Sequence, residues 1–144
     1  YGPGKGEEHR ELALIPTAIE KAASGEEVTL PGGDQRNDFV YYRDIARGLA
    51  NAIETDTLSY PMYHLGSGGA NSMRYIGETI EEQTSGSIIV EDGLEIYEGM
   101  YPTYCQLDIS RAITDLDYTP QFEVEEAVVD HLSYIGRGES PDIA

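Results

Sequence analysis

Residues 35–46 read Gln-Arg-Asn-Asp-Phe-Val-Tyr-Tyr-Arg-Asp-Ile-Ala, a polar loop that passes into an aromatic run and then into a helical pattern. The aromatic and β-branched residues 39–42 predict a strand. Asp44 is placed to cap the helix that follows. The apolar stripe of that helix, at helical spacing, consists of Ile45, Ala46, Leu49, Ala50 and Ile53. Loop, strand and helix in succession are typical of an α/β protein.

The sequence before this stretch repeats the alternation of helix and strand. Residues 12–23 have one apolar helical face, and Gly25 follows as a stop signal. Residues 28–30 predict a short strand that ends at a Pro-Gly-Gly turn. We therefore expect two short strands on either side of a polar loop that contains Arg36.

The sequence after it continues in the same way. Residues 63–65 and 87–90 are strand candidates, Ser72 can cap a helix, and Asp108 can cap a shorter one. A last helix is predicted over residues 124–135, followed by a frayed tail at 136–144. The implied sheet is too small for a complete doubly wound domain. We therefore expect residues 1–144 to form a single incomplete α/β unit, and the abrupt start at Tyr1 without a methionine indicates a fragment.

The net charge of −18 comes from 27 acidic residues against 9 basic ones. Such a field repels a phosphate backbone, so nucleic acid is excluded as a partner. No apolar run is long enough to span a membrane, so no membrane partner is expected. An acidic excess with only two lysines is typical of proteins adapted to high salt, where screening weakens self-repulsion.

Residues that could carry chemistry are scattered. Cys105 is the single cysteine and has no base beside it, which favours a small buried side chain and a cytoplasmic location. His9, His64 and His131 are not at metal-ligand spacing, so no metal site is predicted. No serine, histidine and carboxylate form a recognisable nucleophilic set, so no catalytic residue is expected in this chain.

Three segments are candidate binding sites. The loop around Arg36 offers a guanidinium and an amide suited to a phosphate or to sugar hydroxyls, although an ordinary hairpin whose arginine pairs with a surface carboxylate is equally compatible. Residues 66–69, Gly-Ser-Gly-Gly, resemble a phosphate loop, but a plain strand-to-helix turn explains them better. The tyrosines at 97, 101 and 104 suit either stacking on a ring or packing.

Five motifs in order resemble the latter half of NAD-dependent epimerase/dehydratase proteins, which are extended short-chain dehydrogenases/reductases. They are residues 1–4 (YGPG), 14–16 (LIP), 35–46, 64–68 (HLGSG) and 107–112 (LDISRA). The series covers nearly the whole chain and is far more specific than any one motif. The resemblance implies a partial α/β fold, the C-terminal part of a Rossmann-type NAD(P)-binding enzyme with its small substrate-binding subdomain.

The resemblance also implies an activity for the parent protein. Such an enzyme binds a nucleotide-diphosphate sugar and NAD or NADP, and it oxidises a sugar hydroxyl transiently; UDP-glucose 4-epimerase is the most familiar example. The family's catalytic tyrosine and lysine and its glycine-rich cofactor loop precede the motif at residues 1–4. We therefore expect no catalytic residue here, no stable NAD binding by this chain alone, a missing N-terminal Rossmann half as its partner, and a homodimer for the parent.

The same resemblance assigns a substrate-binding wall. Leu14, Val28 and Leu30 would contact the base or ribose, and the region of Arg36 and Asn37 would meet the diphosphate. The substrate-binding residues implied are Leu14, Val28, Leu30, Arg36, Asn37, Phe39 and Tyr101. The family usually has arginine directly before the aspartate and aromatic pair, whereas Asn37 holds that position here and Arg36 is one residue early. Tyr101 resembles a tyrosine of the nucleotide-heptose epimerase branch, where other members have a second arginine.

Two other hypotheses remain open at this point. The chain could be a standalone, non-catalytic module that binds a nucleotide sugar or serves assembly. It could also belong to an atypical family member that binds cofactor without turnover. If it is an enzyme fragment, it should expose the apolar faces that a Rossmann half would cover, and it should self-associate.

Overall fold

The computed structural model describes residues 1–3, 13–93, 96 and 104–137. In chain order the elements are α1 (Leu14–Ala23), β1 (Glu27–Pro31), β2 (Arg36–Asn37), α2 (Tyr42–Glu54), β3 (Asn71–Ser72), α3 (Met73–Gln83), β4 (Ser87–Glu91), β5 (Tyr104–Cys105), α4 (Ser110–Leu116) and α5 (Val124–Arg137). The mixed α/β class predicted from the sequence is confirmed, and the helices at residues 12–23 and 124–135 are found within two residues of their predicted bounds.

The strands form two small sheets. β1 and β4 pair in parallel, with Glu27 opposite Ser87 and Pro31 opposite Glu91. β2 is the central strand of the second sheet, antiparallel to β3 and parallel to β5. The polar loop between β1 and β2 therefore leads directly from one sheet into the middle of the other.

A single main core fills the space between α1, α3, α5 and the β1–β4 sheet. Its buried members are Ile15, Ala18, Ile19, Ala22, Leu30, Met73, Ile76, Ile80, Ile96, Val124 and Val128. Burial of side chains of this size stabilises the fold by roughly 1.5–3 kcal/mol each for the larger ones. A second cluster joins α4 to the chain around Leu65, and its buried members are Ile109, Ala112, Leu116 and Tyr118.

Helix boundaries follow local chemistry. Ser72 caps α3, as predicted, because its hydroxyl accepts the backbone N–H of Tyr75 at 3.1 Å. Asp108 accepts the N–H of Ser110 at 2.9 Å at the start of α4, and this hydrogen bond holds the pKa of the Asp108 carboxyl below its usual range. After α1 the chain turns through Gly25 at φ 81°, a conformation that glycine adopts without steric cost.

Two expectations about the quoted stretch are wrong. Residues 39–41 form no strand, and Tyr42 already begins α2, so the short strand is Arg36–Asn37. Asp44 does not cap α2, because it lies inside the first turn and its carboxylate accepts the N–H groups of Gln121 at 3.0 Å and Phe122 at 3.2 Å. Aromatic residues here serve packing: the Tyr41 ring lies 5.0 Å from that of Phe122.

The strand predicted at residues 63–65 is also absent. The segment is irregular, although Leu65 packs against the α4 cluster. A strand requires a hydrogen-bonded neighbour, and no strand of the described part of the chain pairs with these residues. Apolar alternation alone could not reveal that a partner is lacking.

The apolar stripe of α2 faces away from the core. Leu49 is 54% exposed and Ile53 is 85% exposed, and the nearby loop exposes Leu58, Tyr60 and Met62. The helix buries instead its opposite side, where Asp44 and Gly48 lie. We refer to Leu49, Ile53, Leu58, Tyr60 and Met62 as the α2 apolar face.

Candidate functional site

The loop between β1 and β2 is fixed by a buried glutamine. Gln35 is 3% exposed; its backbone N–H donates to the carbonyl of Gly32, and its own carbonyl accepts the N–H of Met73 at 3.2 Å. Its side-chain Oε1 accepts the N–H of Ile96 at 2.7 Å. Because all of these contacts are to backbone groups, Gln35 holds the loop, the start of α3 and Ile96 together.

Asp38 fixes the other end of β2. Its carboxylate accepts the N–H of Ser67 at 2.6 Å through Oδ1 and the N–H of Leu107 at 3.2 Å through Oδ2. A Cβ at Gly66 would lie 2.5 Å from this carboxylate, so the close approach requires glycine there. Both oxygens of Asp38 are therefore used in holding the fold.

Arg36, between these two anchors, pairs with no carboxylate of the described residues. Arg43, Arg47 and Arg74 form ion pairs with Asp130, Asp44 and Asp92, and Arg111 stacks on the Tyr60 ring at 4.5 Å. Of the arginines whose side chains the structure describes, only Arg36 lacks such a contact. It is exposed, in a chain with 27 acidic residues. The structure therefore does not show the alternative in which Arg36 belongs to an ordinary hairpin and pairs with a surface carboxylate.

Asn37 is buried and its amide has no hydrogen-bond partner. It is 7% exposed, and neither Oδ1 nor Nδ2 is bonded to any protein atom. A buried polar group without a partner destabilises a protein by roughly 1–3 kcal/mol, so such groups are uncommon and require an explanation. An incoming ligand that bonds to this amide would remove the penalty.

The two side chains leave β2 on opposite faces. Arg36 lies opposite Ser72 and Tyr104 in the sheet, and Asn37 lies opposite Asn71 and Cys105. Successive residues of a strand point to opposite faces, and the exposed-then-buried pattern of β2 agrees. One flat ligand cannot contact both side chains from the same face, as the one-residue displacement of the arginine had indicated.

The apolar residues of the predicted substrate-binding wall belong to the main core or pack against it. Leu14, Val28 and Phe39 are half-buried and pack against it. Leu30 is 1% exposed and belongs to the core itself, so only its backbone could face a ligand. Tyr101 lies outside the described residues, and so does Tyr97.

The glycine loop at residues 66–69 is already filled by an internal carboxylate. The N–H of Ser67 donates to Asp38, and the N–H of Gly69 points to the Ser67 hydroxyl at 3.4 Å. The first turn of the following helix is capped by Ser72. An external phosphate would therefore have to compete with a bound anion, which favours the plain turn and gives NAD no diphosphate site in this loop.

A second polar cluster joins α2 to α5. The Tyr41 hydroxyl donates to Asp130 at 2.8 Å, and Arg43 Nε lies 3.0 Å from the same carboxylate. Tyr42 and Arg43 donate to the Tyr134 hydroxyl oxygen at 2.9 Å and 2.5 Å, which lowers the pKa of Tyr134. Burial raises the pKa of Tyr41 well above its usual range. The cluster therefore links α2 to α5 through side-chain hydrogen bonds and an ion pair.

His131 is the one described histidine that is fully buried, and neither ring nitrogen has a hydrogen-bond partner. Its Nε2 lies 4.0 Å from Glu20, and burial lowers the pKa of His131 to about 4. No serine or cysteine nucleophile is hydrogen-bonded to it in the part of the chain that the structure covers. Within that part there is also no group of three potential metal ligands, and no helix is long and apolar enough to cross a membrane.

Sequence reasoning missed Gln35 and Asp38, whose roles depend on distant backbone groups. Gln35 contacts Ile96, 61 residues away, and Asp38 contacts Leu107, 69 residues away. The only local signal was their position on either side of two polar residues in a chain turn. Gly66, which permits the contact with Asp38, belongs to the segment that resembles a phosphate loop and that a plain strand-to-helix turn explains better.

Comparison with known proteins agrees with this architecture. The model of the NAD dependent epimerase/dehydratase family matches residues 1–66. Among solved structures, the chain is similar to UDP-glucuronic acid 4-epimerase from Bacillus cereus in complex with UDP-glucuronic acid and NAD, with 24% identity and a TM-score of 0.70 over 96% of this chain and 43% of that one. No curated protein sequence gives a significant match.

Two further solved structures show the same fold. ADP-L-glycero-D-manno-heptose-6-epimerase of Helicobacter pylori is 26% identical, with a TM-score of 0.64 over 86% of this chain and 37% of that one. RMD from Pseudomonas aeruginosa, complexed with NADPH, is 16% identical, with a TM-score of 0.70 over 92% of this chain and 44% of that one. The chain thus spans less than half of the length of these three structures, and its fold is part of a Rossmann-type epimerase. The chain is therefore similar, over residues 1–66, to the NAD dependent epimerase/dehydratase family, and its structural neighbours are nucleotide-sugar epimerases of the extended short-chain dehydrogenase/reductase type.

Proposed function

We propose that this chain is the substrate-binding part of an NAD-dependent nucleotide-sugar epimerase or dehydratase, similar to UDP-glucose 4-epimerase, and that it acts in the cytoplasm. The observation that carries the proposal is on β2, where Arg36, which pairs with no carboxylate of the described residues, is followed by a buried amide without a hydrogen-bond partner. The anchors Gln35 and Asp38 hold the backbone of these two residues in place. A binding site that is already positioned loses little entropy when its ligand arrives.

Arg36 is the residue proposed for the diphosphate. Its guanidinium can donate two parallel hydrogen bonds to phosphate oxygens, and in the described part of the chain no carboxylate pairs with it. Its neighbour across the sheet, Tyr104, is exposed and donates its hydroxyl to Gln106 at 2.8 Å. This arrangement leaves the cation accessible from solvent in a strongly acidic surface.

The base or ribose would lie against the edge of the main core. Leu14, Val28 and Phe39 offer partly exposed apolar surface there, and Leu30 would contribute its backbone. Tyr101 is proposed as a further substrate contact on the resemblance alone. Apolar contacts of this kind add affinity, while the polar groups of β2 fix orientation.

A nicotinamide cofactor would supply the acceptor for a hydride from the sugar. The glycine loop does not fit the diphosphate of such a cofactor, because the N–H of Ser67 already donates to Asp38. We therefore assign cofactor binding and catalysis to a Rossmann half that is not part of this chain. The chain itself would bind and orient the substrate, and the parent would act as a homodimer.

The α2 apolar face supports this division of roles between the chain and a Rossmann half. Leu49 and Ile53 lie on one helix face, and Leu58, Tyr60 and Met62 follow in the loop after the helix. Exposed apolar residues that are grouped in this way mark a surface that another part of a protein covers. We assign this face to contact with the Rossmann half.

The direct test is titration of the 144-residue chain with UDP-glucuronic acid and with UDP. Calorimetry or the shifts of amide NMR signals measure the binding. We expect binding, and we expect Arg36→Ala to weaken the binding of both ligands by at least about tenfold, the effect of about 1.4 kcal/mol. Arg74→Ala is the matched control, because Arg74 is already paired with Asp92 on the surface. Equal losses in the two variants, or no binding by the unaltered chain, would contradict the proposal.

A second experiment separates an enzyme from a non-catalytic module. The full-length protein is given UDP-glucose and NAD, and the sugar is analysed for inversion or dehydration. Turnover supports the enzyme. Tight binding of the nucleotide sugar without any turnover would favour the standalone binding or assembly module.

A further inference from the structure

The four polar side chains at residues 35–38 divide into two pairs with different roles. The side chains of Gln35 and Asp38 accept hydrogen bonds from backbone N–H groups of distant segments. Among the described residues, the side chain of Arg36 has no ion pair, and the side-chain amide of Asn37 has no hydrogen-bond partner. The backbones of Arg36 and Asn37 form β2, whereas their side chains make none of the bonds that join these segments.

The environment of Asn37 differs from that of Arg36. Asn37 is 7% exposed and shares its face of the sheet with Asn71 and Cys105, which are uncharged side chains. The guanidinium of Arg36 leaves the strand on the other face and is open to solvent. A charge on the ligand would therefore be compensated on the Arg36 face and not beside Asn37.

An asparagine amide also has its own preference. It offers N–H donors at Nδ2 and a carbonyl acceptor at Oδ1, and both are unused here. A phosphate group could use only the donors and would place negative charge near the carbonyl oxygen. A neutral group with a donor and an acceptor side by side would satisfy both atoms.

We propose that Asn37 determines substrate specificity by binding a neutral part of the ligand that carries an adjacent donor and acceptor, and that the diphosphate is left to Arg36 alone. This proposal rests on the proposed function. The chemistry fits vicinal sugar hydroxyls and the imide edge of a pyrimidine base, and the ligand series below distinguishes them. A buried amide that a ligand leaves unbonded discriminates strongly against that ligand.

The test compares Asn37→Leu with the unaltered chain. Leucine has nearly the same size and removes both hydrogen-bonding groups. In the absence of ligand we expect its thermal midpoint to be equal or higher, because a buried group without a partner is removed. The affinity for UDP-glucuronic acid should fall by at least about tenfold. Asn37→Asp, which keeps the shape but loses the donor, should also bind weakly, so the result does not depend on one variant.

The ligand series locates the contact. If Asn37→Leu lowers the affinity for UDP-glucuronic acid and leaves the affinity for UDP unchanged, Asn37 contacts the sugar. If the affinities for UDP and UMP fall as well, Asn37 contacts the base. Equal affinity of the variant and the unaltered chain for all three ligands overturns the proposal. So does a lower thermal midpoint for Asn37→Leu, which would mean that the amide holds the fold.

Failure of the proposed function gives a different result. In that case the unaltered chain binds none of the three ligands, and Arg36→Ala changes nothing. If the unaltered chain binds and Arg36→Ala weakens binding while Asn37→Leu does not, only the role of Asn37 is wrong.

Discussion

The backbone N–H of Ser67 donates a 2.6 Å hydrogen bond to the carboxylate of Asp38, 29 residues earlier in the chain. The same carboxylate accepts the N–H of Leu107 at 3.2 Å. One side chain thus joins the end of β2, the glycine loop and the segment before α4. The position of Arg36 and Asn37 depends on this junction, because both lie directly before it.

Replacement of Asp38 by asparagine should destabilise the chain. The amide keeps one acceptor and places N–H groups against a backbone N–H, so at least one hydrogen bond to a charged group is lost. We expect the free energy of unfolding to fall by about 1.5–3 kcal/mol. Urea denaturation measures this change in the free energy of unfolding. Asp34→Asn is the control, since Asp34 is exposed in the same loop. Similar stability of the two variants would show that the junction is not needed.

The buried His131 should make stability depend on pH. In the unfolded chain a histidine binds a proton near pH 6.5, whereas burial lowers the pKa of His131 to about 4 in the folded chain. The unfolded state therefore binds more protons between these values, and the contribution of neutral His131 is complete above pH 6.5 and is lost as the pH falls towards 4. We expect a loss of about 1–2 kcal/mol between pH 7 and pH 5 from this residue.

The difference between the unaltered chain and His131→Leu isolates that contribution, because the carboxylates titrate in both. Urea unfolding at pH 7 and pH 5 gives the two free energies for each. The variant should lose less stability than the unaltered chain on acidification. Parallel losses in the two proteins would show that His131 is accessible to protons in the folded state.

The α2 apolar face should cause self-association when the chain is alone in solution. Leu49→Lys together with Ile53→Lys should reduce it, because these side chains are 54% and 85% exposed and contribute little to the core. Sedimentation velocity at several concentrations measures the change, and the thermal midpoint should stay within about 2 °C. Val129→Lys is a matched control on α5, at 51% exposure. A monodisperse unaltered chain would contradict the expectation.

Salt should stabilise the chain. A net charge of −18 on 144 residues produces self-repulsion that added ions screen. Between 0.05 and 2 M KCl we expect a gain of about 1 kcal/mol or more, roughly 3–5 °C in thermal midpoint for a domain of this size. Differential scanning fluorimetry measures the thermal midpoint at each KCl concentration. A midpoint that does not change with KCl would remove the argument for an acidic surface adapted to salt.

Local patterns were sufficient where a segment and its neighbours in sequence decide the structure. The stripe of α1 is buried as expected and Ser72 caps α3, because helix periodicity and capping act within one or two turns. The ordered motifs likewise predicted the family that matches residues 1–66. The same reasoning failed for residues 39–42 and 63–65, since a strand needs a partner whose presence no local pattern records.

The sequence by itself determined the α/β class, the net negative charge, most helix positions and the placing of Arg36 and Asn37 in one short polar segment. Only the tertiary structure decided that Gln35 and Asp38 are anchors, that Asp38 fills the glycine loop and that Asn37 is buried without a partner. The physical reason is distance along the chain. These hydrogen bonds join groups 29 to 69 residues apart, and the burial of a polar side chain is a property of everything that packs around it.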